Sequence, residues 1–175
     1  FEEGVFPNPA YFSQRLPAVA LSAIGQDSVT ANPLQLALVA AAIANGGAEM
    51  VPRLVSSIRD EAGRVIETFP PREYGRPISA ESAAELTEMM VSVVQSGTGT
   101  AAQISGVSVA GKTGTAQHGE GRAPHAWFVS FAPAEDPQVV VAVIVLDGGS
   151  LGSEATGGRV AAPIAKAVME AALNE

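Results

Sequence analysis

One short stretch concentrates groups that could do chemistry: Val107-Ser108-Val109-Ala110-Gly111-Lys112-Thr113-Gly114-Thr115-Ala116-Gln117. It carries Lys112, one of only two lysines in the chain, the other being Lys166. Thr113 and Thr115 add hydroxyls on either side of Gly114. The alternation of Val107 and Val109 with small residues predicts a strand entering a sheet. Glycines at 111 and 114 would leave a bare patch where another backbone, or a substrate, approaches closely. An ammonium, hydroxyls and an exposed main-chain N–H on one strand edge suit gripping a carboxylate and polarising a carbonyl.

Other candidates are weaker. His118 and His125 are the only histidines. They flank glycine-rich sequence with no acidic pair beside them, so the sequence predicts loop histidines rather than a metal site. Ser96-Gly97-Thr98-Gly99-Thr100 resembles half of a phosphate loop. No lysine follows it, and the strand-loop-helix order is reversed, which argues against nucleotide binding.

Around these residues stands an ordinary globular composition, 47% apolar and 16% charged over 175 residues. The net charge is −8, with arginines scattered rather than striped, so nucleic acid is not expected as a partner. The absence of cysteine excludes disulfides and thiolate metal sites. No apolar run approaches the roughly 20 residues of a membrane span, so no membrane contact is expected from this chain itself.

The elements that must position the key strand follow in order. Residues 1–18, with prolines at 7, 9 and 17, predict an irregular lead-in whose Phe1, Phe6, Tyr11 and Phe12 need a packing partner. Asn32-Pro33 starts a helix, and Leu34, Leu36, Leu38, Val39 and Ile43 around its circumference predict burial on all sides. Residues 50–70 predict an exposed hairpin turning at Asp60–Gly63. Ser79 caps a helix whose apolar stripe is Ala83, Leu86, Met90, Val93 and Val94. Residues 107–146 predict three consecutive antiparallel strands, the last, Val139–Leu146, covered on both faces. A final helix over 159–173 is predicted to pack through Val160, Ile164, Ala167, Val168 and Ala171, with Pro163 in its first turn. The fold class is therefore α+β, an antiparallel sheet flanked by helices.

Several segments in this order carry a resemblance: Gly25-Gln26, Asn32-Pro33-Leu34-Gln35-Leu36-Ala37, Ile43-Ala44-Asn45-Gly46-Gly47, Gly97-Thr98-Gly99-Thr100-Ala101-Ala102, the Lys112-Thr113-Gly114 strand and His125-Ala126-Trp127-Phe128. The chain resembles the C-terminal half of a penicillin-binding protein transpeptidase domain, of the class B, penicillin-binding protein A type. That resemblance implies a serine D,D-transpeptidase that cross-links peptidoglycan stem peptides through an acyl-enzyme and is acylated by β-lactams. It implies catalytic roles for Lys112 and Thr115, substrate or β-lactam binding by Thr113, Gly114 and Thr115, and no metal or organic cofactor. The family's Ser-x-x-Lys and Ser-x-Asn motifs are missing: no serine lies three before Lys112 or Lys166, nor two before any asparagine. The whole of 1–175 thus reads as the C-terminal portion of one domain. Its partners would be an upstream fragment of the same domain, stem peptides and β-lactams. An extracytoplasmic location, with an N-terminal anchor outside this chain, is implied. The alternatives are a β-lactam sensor domain, a β-lactamase, or a structural domain with an accidental Lys-Thr-Gly.

Overall fold

A computed structural model describes residues 4–13 and 15–174. Phe1 lies outside them. The lead-in is helical rather than irregular: α1 spans Pro9–Ser13 and α2 spans Leu16–Ala23. Pro9 and Pro17 stand in first turns, where a missing N–H leaves no hydrogen bond unmade. The aromatic side chains pack on each other, Phe6 against Phe12 at 5.9 Å between ring centres and Tyr11 edge-on to Phe12 at 5.5 Å.

Helix α3, Pro33–Ala44, begins with a reciprocal cap. Asn32 accepts from the Gln35 N–H at 2.9 Å, and the Gln35 side chain accepts from the Asn32 N–H at 3.0 Å. Gly47 closes the exit at φ 90°, and a Cβ there would overlap the Ile78 carbonyl oxygen. A small sheet pairs β1, Glu49–Met50, with β4, Glu73–Gly75. Between them β2, Ser57–Arg59, and β3, Val65–Thr68, form an exposed hairpin, shorter than 50–70 suggests. Asp60 holds its turn, accepting from Ala62 and Arg64 backbone and from the Arg64 side chain.

Helix α4, Ala80–Ser96, is capped by Ser79 and buries Ala83, Met90 and Val94. The main sheet follows: β5, Ala110–Ala116, β6, His125–Ala132, and β7, Val139–Val145, in the order β5-β6-β7, all antiparallel. Ala110 pairs with Phe131 and Ala116 with His125, so β5 is an edge strand among the described residues. Helix α5, Ala162–Leu173, enters through a wide turn at Gly157–Ala161.

The pleat sorts the core into two layers. Ala110, Phe131 and Val140 face α3 and α4, packing on Met90 and Ile43. Val109, Phe128, Ala132 and Val141 face α5, packing on Ala161, Ala162, Ala165 and Met169. Three burial expectations change. Helix α3 is not enclosed: Leu34 is 46% and Val39 57% exposed. In β7 only Val141 is buried, so neither face is fully covered. Helix α5 turns its alanine face, with Met169, to the sheet and leaves Ile164 and Val168 outward, the reverse of the expected stripe. Alanines let the helix approach closely enough to bury Phe128 completely. Bulkier residues on that side would overpack the layer.

Candidate active site on the open edge of the sheet

Lys112, Thr113, Gly114 and Thr115 all lie in β5. Lys112 points to the α3–α4 side, the side of its cross-strand neighbour Val129. Thr113 and Thr115 project to the opposite side, because alternate residues of a strand face opposite ways. They meet at the open edge. The Lys112 Nζ curls back to donate to the Thr113 carbonyl at 2.6 Å. The Thr115 carbonyl accepts from Gln26 Nε2 at 3.2 Å, on the side away from β6. In an antiparallel strand the N–H and C=O of one residue point the same way. The N–H groups of Thr113 and Thr115 therefore face outward, while Lys112 and Gly114 bond inward to β6.

The two glycines serve different ends. A Cβ on Gly111 would stand 2.5 Å from Phe128 Cζ and 3.0 Å from Val94 Cγ2, so its bareness admits the core aromatic ring rather than a ligand. Gly114 has more room, its nearest neighbour being Trp127 Cβ at 3.1 Å.

Beside Lys112 an apolar groove runs between α3, α4 and the sheet, lined by Val39, Ile43, Leu86, Met89, Val93 and Val129. Met89 is 56% exposed there. On the other side the Thr113 hydroxyl pairs with the Thr98 hydroxyl at 2.7 Å. Gln26 and Thr98 could not be placed here from residue spacing. The only signal was their presence in the ordered segments Gly25-Gln26 and Gly97-Thr98. Chain separations of 89 and 15 residues hide both contacts.

The histidines are not simple loop residues. His125 opens β6, and its ring stacks on His118 at 3.6 Å between centres and 21° between planes. The tertiary fold supplies the acid that the local sequence lacks, Asp147. The Asp147 carboxylate lies 3.0 Å from His118 Nε2 and 3.1 Å from the Arg122 guanidinium, while its N–H donates to His125 Nδ1 at 3.0 Å. Each of the three residues offers a ligand atom within 4.8 Å of the others. His125 Nδ1 is already engaged by the Asp147 N–H. The cluster is a clamp joining the β5–β6 loop to the segment after β7. It holds Asp147 at φ 49°, an uncommon conformation for a residue other than glycine.

Burial, then the neighbouring His118 and also Arg122, hold His125 below the ordinary imidazole value of 6.5, against the opposing pull of Asp147. The unfolded chain therefore binds this proton more readily than the folded one. Stability is undiminished above about pH 6.5 and falls as the pH drops through that value toward the lowered one. Hydrogen-exchange protection factors of residues 117–125, taken relative to intrinsic exchange at each pH, should fall as the pH drops below about 6.5, and His125→Gln should flatten that dependence. An unchanged acid response in the variant would exclude His125 as the group responsible.

A family model described as the penicillin binding protein transpeptidase domain matches residues 4–170. The chain belongs to this family. It is 48% identical over 161 residues to the peptidoglycan D,D-transpeptidase PbpA of Mycolicibacterium smegmatis, covering 90% of this chain and 32% of that protein. The Mycobacterium tuberculosis PbpA is 46% identical over 160 residues, with the same coverage. Among solved structures, a penicillin G acyl-enzyme complex of M. tuberculosis penicillin-binding protein A superposes with a TM-score of 0.82 at 44% identity. It covers 99% of this chain and 38% of that one. The α+β class and the likeness to penicillin-binding protein A are thus borne out. The chain spans about a third of the length of these curated relatives. No helix among the described residues is long and apolar enough to cross a membrane.

Proposed function

We propose that this chain is the downstream portion of a serine D,D-transpeptidase domain, completed by upstream polypeptide that brings the nucleophile. The observation that carries this reading is the open edge of β5. There an ammonium, two outward-facing backbone N–H groups and the end of an uncovered apolar groove adjoin. The half-exposed faces of α3 and α5 support it too, since apolar surface of this extent is normally covered.

In this reading the upstream serine Oγ attacks the carbonyl of the penultimate D-alanine of a stem peptide. The C–N bond to the last D-alanine breaks, that residue leaves as a protonated amine, and an acyl-enzyme remains. An amino group of a neighbouring stem displaces the serine and forms the cross-link. β-Lactams enter the same step, their ring amide opening while the leaving nitrogen stays attached. Lys112 supplies positive potential and relays protons. The Thr115 N–H is one oxyanion donor, a contact whose loss typically costs about 3 kcal/mol of transition-state stabilisation. The hydroxyls of Thr113 and Thr115 hold the substrate carboxylate beside Gly114. The site works on the extracytoplasmic side of the membrane, where peptidoglycan lies, with the anchor in the upstream part.

The test is covalent labelling. Incubated with penicillin G, the completed polypeptide should gain the mass of one intact antibiotic, on a serine outside this chain. No adduct, or rapid turnover of nitrocefin, would overturn the transpeptidase reading.

A further inference from the structure

We propose that Thr98 is a positioning residue for this site, fixing the direction in which the Thr113 hydroxyl donates. The inference rests on the reading above, in which Thr113 meets a carboxylate.

The two oxygens lie 2.7 Å apart, the usual distance of a well-formed hydroxyl–hydroxyl hydrogen bond. Each hydroxyl has one proton and two lone pairs. In such a pair one proton lies between the oxygens and the other points away. A carboxylate only accepts, so it selects the arrangement in which Thr98 donates to Thr113 and Thr113 donates outward. The inner bond polarises the outer one and strengthens it. Without Thr98, the Thr113 hydroxyl can rotate away from the ligand.

The Thr98 backbone is well placed to aim its side chain. Gly97 and Gly99 both donate to the Val93 carbonyl, at 3.1 and 3.0 Å, tying the segment to the end of α4. On the far side a Cβ on Gly158 would overlap the Thr98 carbonyl oxygen, so the turn before α5 wedges the segment against β5. The Thr98 residue itself is exposed, and its hydroxyl serves Thr113 rather than the last carbonyls of α4. Replacing that hydroxyl by a methyl group therefore removes a directed donor while leaving the core untouched.

The experiment measures acylation of the completed polypeptide by a fluorescent penicillin as a function of concentration. Thr98→Val should lower the second-order rate constant about tenfold, the size of one hydrogen bond to a charged group, chiefly by weakening binding before acylation. Thr98→Ser should restore it. Thr113→Val should be impaired to a similar degree, and adding Thr98→Val to it should cost nothing further, because Thr98 acts through Thr113. Wild-type speed in Thr98→Val, or additive losses in the double variant, would overturn the assignment while leaving the transpeptidase reading intact. A wild-type protein that forms no adduct would overturn both.

Discussion

Lys112→Ala in the completed polypeptide should abolish penicillin labelling, lowering the acylation rate by a factor on the order of 10² to 10⁴, the range typical of a lost proton-transfer group. The second lysine, Lys166, lies in α5 and faces Glu170 at 3.8 Å. The loss should leave folding nearly unchanged, since Lys112 is exposed and the one hydrogen bond of its side chain, to the Thr113 carbonyl, is at the surface. A melting temperature within a degree or two of wild type would separate the chemical effect from a structural one. Lys112→Arg should rescue little: a guanidinium keeps the charge, but its planar fork is bulkier and places its donors differently from a compact ammonium. Full labelling of Lys112→Ala would remove this residue from the chemistry.

Gly157→Ala should be the most damaging single substitution for the fold around the site. A Cβ there would overlap the Trp127 carbonyl oxygen and stand 2.9 Å from both N and O of Gly114. These are backbone atoms in the β5–β6 pairing, where Gly114 lies opposite Trp127, so neither can turn aside as a side chain would. Relief requires the turn before α5 to lift off the sheet. The cost is about 3 kcal/mol, the upper end for overpacking, with a melting temperature several degrees lower. Because Gly158 wedges Thr98, lifting this turn should also loosen the Thr98–Thr113 pair and slow acylation. Gly63→Ala is a useful contrast. That residue sits in the exposed hairpin turn at φ 80° with nothing within 4 Å of where a Cβ would stand, so backbone strain of about 1 kcal/mol is its whole effect, and the site should not notice. Equal melting temperatures for Gly157→Ala and wild type would show that the turn is not packed as tightly as its contacts indicate.

The sequence alone determined what short-range rules control. The Asn32-Pro33 start and its partner Gln35, the Ser79 cap, the turn at Asp60–Gly63 and the alternation through His125–Phe131 are all local. Each depends on residues within a few positions, where backbone preferences and capping bonds act. The Lys112-Thr113-Gly114 segment stood out for another reason: it recurs in order with the Gly25-Gln26, Asn32–Ala37, Asn45–Gly47 and Gly97–Ala102 segments, and that ordered set carries the family resemblance. Only the tertiary structure decided which face of α5 is buried, because alanines and branched residues form two apolar stripes there and the choice depends on how near the helix can come to the sheet. It decided that Gly111 makes room for Phe128. It also set Asp147 against the two histidines, and Gln26 and Thr98 against β5. Those contacts join segments that carry no information about each other along the chain, and they exist only because the packed fold brings those segments side by side.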